Sequence, residues 1–294
     1  MIERTYREPA DLAEARAMLA QHEGARVVAG GTDLVVAARS GKSPLPQRLV
    51  AIHRLRELSG IEPTADGGLR IGALTTHAEL EASALVVESW SALADASALV
   101  GSPATRHLGT LGGNVCNASP AMELGSPLLV FDAHVELASA GGSRRVPFGS
   151  FVTGPGRTSA QTGELMTAVV LPAPEPRGRM GTAYTRLEYR LAMEIAVVGA
   201  AAMIRVDDAD RCVEARIALT AVAPTCVRAA EAEQVLRGSA ADEARIEQAA
   251  QAAAAAARPI DDVRASAPYR SAMVPVIVRR ALTRALDRAR TGAR

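Results

Sequence analysis

The spacing of apolar residues predicts a mixture of helices and strands over the first hundred positions. Leu12, Ala15 and Leu19 recur at helical spacing behind Pro9 and Asp11, which are typical helix-start residues. Short apolar runs bounded by glycine, proline and polar residues indicate strands. The predicted elements are a helix over 9–22, strands at 25–29, 48–52 and 69–75, a capped helix start from Thr76 to Ala84, and a helical stretch over 85–100.

Beyond residue 123 the pattern changes to apolar runs that predict strands, followed by two helices. The strands are expected in SPLLVFDAHVELAS (126–139), SRRVPFGSF (143–151), TGELMTAVVLP (162–172), AVVGAAAMIRV (196–206) and VEARIALTAV (213–222). The last two should pair antiparallel across the DDAD turn at 207–210. Alanine favours helix at 243–257, and a second helix over 268–290 should be kinked at Pro275.

The segment LPAPEPRGRMG at 171–181 is the clearest boundary in the chain, because its prolines and glycines are typical of a linker. We therefore predict an N-terminal domain over 1–176 with subdomains at about 1–55 and 56–176, and a C-terminal domain over 177–294. Strands and helices in both parts predict an α+β fold.

Composition excludes several classes of function. The chain has 294 residues, a net charge of +1 and 3% aromatic residues, which indicates no nucleic-acid or anionic-membrane surface. Its first 15 residues lack an apolar signal region, and no apolar run is long enough to span a membrane. We therefore expect a cytoplasmic protein, or one exported only together with a partner. Cys116, Cys212 and Cys226 are widely spaced without a C-x-x-C pair, which predicts neither disulfides nor a metal site.

The richest candidate for chemistry is GSPATRHLGTLGGNVCNASPAME at 101–123. Gly109, Gly112 and Gly113 allow close approach to the main chain, so the amides of residues 110–114 can point at one anion. Thr110 and Asn114 add side-chain donors. The alternative is a glycine-rich turn that only joins a helix to a strand.

A second glycine turn lies upstream in VVAGGTDLVV at 27–36. The two turns could converge on the two phosphates of a dinucleotide. Neither is a Rossmann fingerprint, because G-x-G-x-x-G followed by an acidic residue is absent. Neither is a Walker loop, since Lys42 is the only lysine and does not follow such a pattern.

The motifs together resemble the flavin subunits of molybdenum hydroxylases, the medium subunits of the carbon monoxide dehydrogenase and xanthine dehydrogenase family. The resemblance lies in AGGTD (29–33), RHLGTLGGNVCNASPAMELGSPLLVFDA (106–133), LRIGALTTHAELEAS (69–83), FVTGPGRTSAQTGELMTAVVLP (151–172), YTRLEYRLAMEIAVVGAA (184–201) and PYRSAMVPVIVRRAL (268–282). It covers nearly the whole chain. It implies a two-subdomain vanillyl-alcohol-oxidase-type (PCMH-type) FAD-binding domain and a C-terminal domain of antiparallel sheet and helices.

The resemblance also implies a set of cofactor-binding residues. The pyrophosphate of FAD would be held by Ala29, Gly30, Gly31, Thr32 and Asp33 and by Thr110, Leu111, Gly112, Gly113 and Asn114. Asp33 is an exception on physical grounds, since a carboxylate repels a diphosphate, and a helix-capping role is the alternative.

Further flavin contacts implied by the resemblance are Glu123, Arg186, Tyr184, Met166 and Val100. Glu123 stands where relatives usually carry aspartate and would bind the polyol portion of the flavin, or would be a solvated helix-start acid. Arg186 replaces a lysine near the flavin ring. For Met166 an apolar core position is the stronger interpretation. None of the histidines is assigned to covalent attachment, so noncovalent binding is expected, and no catalytic or metal residue is assigned.

The implied function is electron transfer within a larger complex. A large molybdenum-cofactor subunit would hydroxylate the substrate, a small subunit with 2Fe–2S clusters would relay electrons, and this chain's FAD would pass them to an acceptor, in a dimer of heterotrimers. Molybdopterin and the 2Fe–2S clusters would then lie only on partner subunits. The alternatives are a stand-alone FAD oxidase or dehydrogenase and a structural subunit that has lost flavin.

Overall fold

The computed structural model describes residues 4–22, 24–190 and 192–292 of the chain. Its first unit contains β1 (Thr5–Arg7), α1 (Leu12–Gln21), β2 (Arg26–Val28), α2 (Leu34–Arg39) and β3 (Arg48–Ala51). The strands form a parallel sheet in the order β1-β3-β2. Ala15 and Leu19 of α1 pack with Val50 of β3, so the helical spacing seen in the sequence is the buried face of α1.

The second unit is an antiparallel sheet surrounded by short helices. It contains β4 (Ile61–Pro63), β5 (Leu69–Gly72), α3 (His77–Ala82), α4 (Ala84–Ser89), α5 (Ser91–Ala98), α6 (Pro103–Arg106), α7 (Leu111–Asn117), α8 (Gly125–Val130), β6 (His134–Ser139), β7 (Gly142–Pro147), α9 (Phe148–Phe151), β8 (Val152–Gly154), β9 (Arg157–Thr158) and β10 (Leu165–Leu171). A 3₁₀ turn spans Arg56–Leu58. The main sheet has the order β4-β5-β10-β6-β7, and β8 pairs with β9.

The C-terminal unit is an antiparallel sheet backed by helices. It contains β11 (Arg179–Leu187), β12 (Val198–Val206), β13 (Cys212–Thr220), β14 (Val227–Arg228), α10 (Ala230–Leu236), α11 (Glu243–Ala253), a 3₁₀ turn (Ala254–Ala256) and α12 (Ala267–Thr291). The sheet order is β11-β12-β13-β14. Val274, Ile277 and Leu282 of α12 share a buried core with the strands. The predicted α+β class and the predicted hairpin of β12 and β13 are confirmed.

Three predicted elements differ from the structure. The run at 126–139 is not one strand, because its first half is α8, which is buried along its length with Pro127 in the first turn, where proline costs no hydrogen bond. The predicted strand at 143–151 ends at Pro147 and continues as α9. The linker expected at 171–181 already contains the start of β11, a strand that the sequence pattern did not reveal.

The capped helix start predicted at Thr76 is confirmed. Thr76 Oγ1 accepts a hydrogen bond from the amide of Glu79 at 3.2 Å, and Glu79 Oε2 accepts one from the amide of Thr76 at 2.7 Å. This reciprocal capping box fixes the direction in which α3 leaves the sheet. In the described part of the chain, none of the helices has the length and apolar character needed to cross a membrane.

The free edge of β11 joins the second unit to the C-terminal unit. Ser91 Oγ of α5 donates to the carbonyl of Thr182 at 2.8 Å, and the amide of Tyr184 donates to Asp95 Oδ2 at 3.1 Å. Arg288 of α12 also bonds Asp95, at 2.7 Å. Edge strands carry unpaired amides and carbonyls. Side chains of α5 bond these groups on β11, which would otherwise face water or another chain.

His77 lies buried at the start of α3, directly behind the second glycine turn. Its amide donates to the carbonyl of Gly109 at 3.1 Å, and its ring lies so close to Gly109 that a Cβ there would sit 3.1 Å from Cδ2. Burial, with a smaller contribution from the charge of Arg106, lowers the pKa of His77 to about 4. The ring is therefore neutral in the folded protein near neutral pH.

Acid should destabilise the fold through His77. An unfolded histidine has a pKa of about 6.5, so the unfolded chain binds the extra proton first as pH falls, and stability present above pH 6.5 is lost progressively toward pH 4. Between pH 7 and pH 4.5 we expect this residue to account for about 2 kcal/mol of lost unfolding free energy. Urea unfolding of wild type and His77→Gln at both pH values measures it, since the variant lacks this titration. Equal losses in the two proteins would contradict the assignment.

Candidate functional site

The first glycine turn connects β2 to α2. Gly31 has φ +70°, a left-handed conformation that favours glycine, and its carbonyl accepts a hydrogen bond from the amide of Val35 at 2.9 Å. Within the described residues, the amides of positions 30–33 donate to no other group of the chain. These successive free donors form the kind of concave backbone surface that binds anions.

Asp33 stands at the start of α2 but makes no side-chain cap bond. Its side chain is exposed, so the helix-capping role considered from the sequence is not realised in the structure. Partial burial around its carboxyl raises the pKa of Asp33, which favours the neutral form and weakens the repulsion of an anion at this turn.

The second glycine turn precedes α7 and is tied down more tightly than its composition suggests. The amides of Leu111 and Gly112 donate to the carbonyls of Thr75 and Ala73, at 2.9 and 2.8 Å. The amide of Gly113 donates to Thr110 Oγ1 at 3.0 Å. The amide of residue 114 donates to the carbonyl of Thr110. The expectation that the amides of 110–114 all point at an anion is therefore wrong for the last four.

The two glycines of this turn have different structural roles. A Cβ on Gly112 would lie 2.8 Å from the carbonyl oxygen of Ala73, so this glycine is required by packing. A Cβ on Gly113 would meet only Thr110 Oγ1 within 4 Å, at 3.1 Å, and Gly113 is exposed. The face of α7 at Gly113 thus borders open space that a ligand can occupy.

The two turns lie directly against each other, as convergence on one ligand would require. A Cβ on Gly30 would fall 1.7 Å from the carbonyl oxygen of Leu108, closer than any atoms can approach. Only glycine permits this backbone-to-backbone contact. It brings the first turn, with its free amides, against Leu108 and Gly109, just before the helix that carries Gly113.

Asn114 adds a side-chain group to the same place. Its Oδ1 is buried and, among the described residues, has no hydrogen-bond partner. Buried polar atoms are normally paired, so this oxygen marks a position where a ligand donor fits. An amide oxygen accepts and does not donate, so it suits a hydroxyl or N–H of a ligand better than a phosphate.

The structure separates the predicted cofactor residues into an accessible and a buried set. The accessible or partly accessible set is Ala29, Gly30, Gly31, Thr32, Asp33, Val100, Gly113 and Asn114. The buried set is Thr110, Leu111, Gly112, Glu123, Met166, Tyr184 and Arg186. Only the first set offers surface that a ligand can contact directly.

Glu123, Tyr184 and Arg186 form one buried network between the second and the C-terminal unit. Glu123 is 6% exposed and Tyr184 1% exposed, so the alternative of a solvated helix-start acid is wrong. Arg186 Nη1 lies 2.5 Å from Glu123 Oε1, and the hydroxyl of Tyr184 donates to Glu123 Oε2. Arg186 Nε also donates to Glu188 Oε2 at 2.6 Å.

Burial and pairing act in opposite directions on these groups. Burial raises the pKa of Glu123, while Arg186 and the Tyr184 hydroxyl lower it. Burial also raises the pKa of Tyr184 well above its ordinary value, and the Glu123 carboxylate adds to this rise. Tyr184 is therefore a fixed hydrogen-bond donor. Breaking a buried pair of this kind usually costs about 3–5 kcal/mol, so the network holds the two units in one arrangement.

Met166 lies beneath α7, at a register shift in the pairing of β10 with β6. Its Sδ lies 3.6 Å from Cys116 Sγ, and its side chain belongs to the main apolar core. Met166 therefore occupies the apolar core position that the sequence predicted as the alternative to a flavin contact.

Sequence reasoning missed two supporting residues. Asp95 bonds Tyr184 and Arg288, and His77 packs against Gly109. His77 is the buried first residue of α3, and Asp95 lies in α5 among buried small and apolar residues. A single acid within the apolar stretch SALADASALV was the available signal for Asp95.

Comparison with known proteins gives matches along nearly the whole chain. Residues 2–174 match the family described as the FAD binding domain in molybdopterin dehydrogenase, and residues 182–285 match the CO dehydrogenase flavoprotein C-terminal domain. The xanthine dehydrogenase FAD-binding subunit of Escherichia coli is 32% identical over 282 residues, which covers 96% of each chain. The carbon monoxide dehydrogenase medium chain of Afipia carboxidovorans is 34% identical over 286 residues, with 97% of each chain covered.

A solved structure agrees with these matches. A chain of carbon monoxide dehydrogenase from Hydrogenophaga pseudoflava superposes with a TM-score of 0.91 at 32% identity, covering 97% of this chain and 98% of that one. The chain therefore belongs to the family of FAD-binding subunits of molybdopterin dehydrogenases and is an oxidoreductase subunit.

Proposed function

We propose that this chain is the FAD-carrying electron-transfer subunit of a multi-subunit molybdenum hydroxylase. It would receive electrons from iron–sulfur clusters on a partner and pass them to an external acceptor. The observation that carries the proposal is the convergence of two glycine turns, one with free amides and the other with an open face at Gly113. Full-length similarity to medium and FAD-binding subunits supports the same role.

The residues present fit FAD by their own chemistry. The free amides of 30–33 suit the two phosphates, Gly113 leaves room for them, and Asn114 Oδ1 suits a hydroxyl of the cofactor. Bound FAD would supply the capacity to accept and release electrons. Arg186 and Glu123 would set the charge beneath it, and Tyr184 would hold Glu123 in place.

The proposal includes the arrangement of the chain and its complex. We assign the flavin-binding domain to 1–176, with subdomains at about 1–55 and 56–176, and the second domain to 177–294. We assign the partners as a large molybdenum-cofactor subunit and a small 2Fe–2S subunit, in a dimer of heterotrimers. The three cysteines are free thiols, which supports a reducing setting such as the cytoplasm.

The first prediction is that the purified full-length chain holds one FAD without a covalent bond. None of the contacts assigned above is a covalent link. Acid precipitation should therefore release all of the yellow cofactor into the supernatant, where chromatography identifies it as FAD. Flavin that stays with the precipitate, or a chain that binds no flavin, would contradict this.

The second prediction is that Gly113→Asp weakens FAD binding about 100-fold, or ~2.7 kcal/mol, because it places a carboxylate against the phosphates. The fold should tolerate the change, since the position is exposed and an acid in the first turn of a helix is favourable. Fluorescence titration with FAD measures it. Gly141→Asp, at an exposed hairpin glycine with open surroundings, is the matched control and should bind FAD normally.

The third prediction tests the relay itself. With both partner subunits present, the substrate of the complex should reduce the flavin of this chain, as followed by anaerobic bleaching near 450 nm, roughly the usual flavin band. The isolated chain should not be reduced by that substrate. Rapid bleaching of the isolated chain would refute the relay and favour the alternative, a stand-alone FAD oxidase or dehydrogenase.

A further inference from the structure

A pocket lies at one end of the C-terminal sheet, where β11 begins and β12 turns into β13. Its volume is about 540 Å³, which is within the range of roughly 300–1,000 Å³ that holds small ligands. Three arginines line this arginine pocket, together with two carboxylates and an apolar residue: Arg177, Arg205, Arg237, Asp207, Glu214 and Val213. None of these six residues is among those assigned to FAD, so the pocket is a second place where the chain can bind a small molecule.

Arg205 forms the buried side of the arginine pocket. It lies on β12 opposite Glu214 of β13, and its side chain is only 8% exposed. Its Nη2 pairs with Glu214 Oε2. Its Nε is buried and, in the part of the chain that the structure describes, has no hydrogen-bond partner. Buried donors are normally paired, so this guanidinium group has fewer acceptors than it can use.

Glu214 does not neutralise Arg205 alone, because it serves two arginines. Glu214 Oε1 also accepts a hydrogen bond from Arg216 Nε at 2.7 Å, and Arg216 in turn pairs with Asp132 at 2.6 Å. Burial lowers the pKa of Arg205; the charge of Glu175 partly opposes this effect and the charge of Arg216 adds to it. An anion in the pocket would stabilise the charged form of Arg205.

The other two arginines of the pocket carry positive charge that the chain does not pair. Arg177 and Arg237 are exposed, and their guanidinium groups make no hydrogen bond or ion pair with any described residue. Asp207, by contrast, is already bonded, because its Oδ1 accepts from the amides of Ala209 at 3.0 Å and Arg211 at 2.9 Å. Three arginines thus share the pocket with two carboxylates that have partners of their own, and N–H donors are in excess.

The backbone beside Arg205 is fixed by Gly178. This glycine has φ +82°, and a Cβ on it would lie 2.6 Å from the carbonyl oxygen of Val206 and 3.2 Å from Arg205 Cγ. The chain therefore packs directly on the end of β12 and on the aliphatic stem of Arg205. This contact fixes both Arg205 and the start of the segment that carries Arg177. Donors held in place in this way lose little conformational entropy when a ligand binds.

We propose that the arginine pocket binds a phosphate dianion, either free or as part of a small phosphate monoester. A phosphate monoester carries about −1.5 to −2 charges near neutral pH and three strong acceptor oxygens, which match the two unpaired guanidinium groups and the incompletely bonded Arg205. The planar fork of arginine binds phosphate through paired N–H bonds. Val213, which is 46% exposed, gives the pocket an apolar side that favours an ester, whose organic part can pack on it. The inference goes beyond the proposed function, since it involves no residue of the flavin site.

The test is isothermal titration calorimetry of the FAD-loaded full-length chain in phosphate-free buffer. Phenyl phosphate and inorganic phosphate are the probes, and benzoate, a monoanion with the same ring, is the control ligand. We expect one phenyl phosphate per chain, bound at least tenfold more tightly than benzoate because it carries the second charge.

Arg177→Gln and Arg237→Gln should each weaken phenyl phosphate binding at least tenfold, because each removes charge-assisted hydrogen bonds. Both residues are exposed and unpaired among the described residues, so FAD content and Tm should not change. Arg280→Gln is the matched control. Arg280 is likewise exposed and, within the described residues, unpaired, but it lies on α12 and does not line the pocket.

The two probes distinguish the sources of the phosphate group. Tighter binding of phenyl phosphate than of inorganic phosphate would support the site with an ester as its occupant, and equal affinities would support it with free phosphate. Wild-type affinity in both pocket variants would overturn the proposal, as would an equal loss in Arg280→Gln. Phenyl phosphate that binds no more tightly than benzoate, or a wild-type chain that binds neither phosphate probe, would also overturn it.

Discussion

The contact between the backbones at Gly30 and Leu108 determines where a ligand can bind. A side chain at position 30 would occupy the carbonyl of Leu108, so the two turns meet only because one of them lacks a Cβ. Residues far apart in the chain are thereby brought to one place. The first turn supplies free amides, and the second supplies an open face at Gly113 and an unpaired amide oxygen at Asn114. Neither turn alone offers both.

This contact is maintained by what lies behind it. The second turn is bonded through Leu111 and Gly112 to the carbonyls of Thr75 and Ala73, at the end of β5, and His77 packs against Gly109. These bonds consume amides that would otherwise bind an anion. The second turn is therefore fixed in place by its own hydrogen bonds, and the free donors are on the first turn. An anion site benefits from this division, because preorganised donors need no rearrangement when the ligand arrives.

The sequence was sufficient to predict the elements with clear periodicity and the two glycine turns. Helix α12, the capping box at Thr76 and the β12–β13 hairpin follow from local patterns. It was insufficient where burial decides between helix and strand: the apolar run of α8 has no amphipathic pattern because every residue in it is buried. Strand β11 was also missed, because its edge is satisfied by Asp95 from a distant helix, and such long-range pairing leaves no local signal.

The same reasoning explains the candidate site. Small residues at a turn are visible in sequence, but which amides remain free depends on partners elsewhere in the fold. The network of Glu123, Tyr184 and Arg186 shows that burial is equally hard to predict from sequence. These three residues were expected at the flavin, and they form a buried contact between two units. Such a contact need not touch a ligand to affect it. It fixes β11 against the unit that carries the second turn, so a change in its charge would act on the contact between these two units.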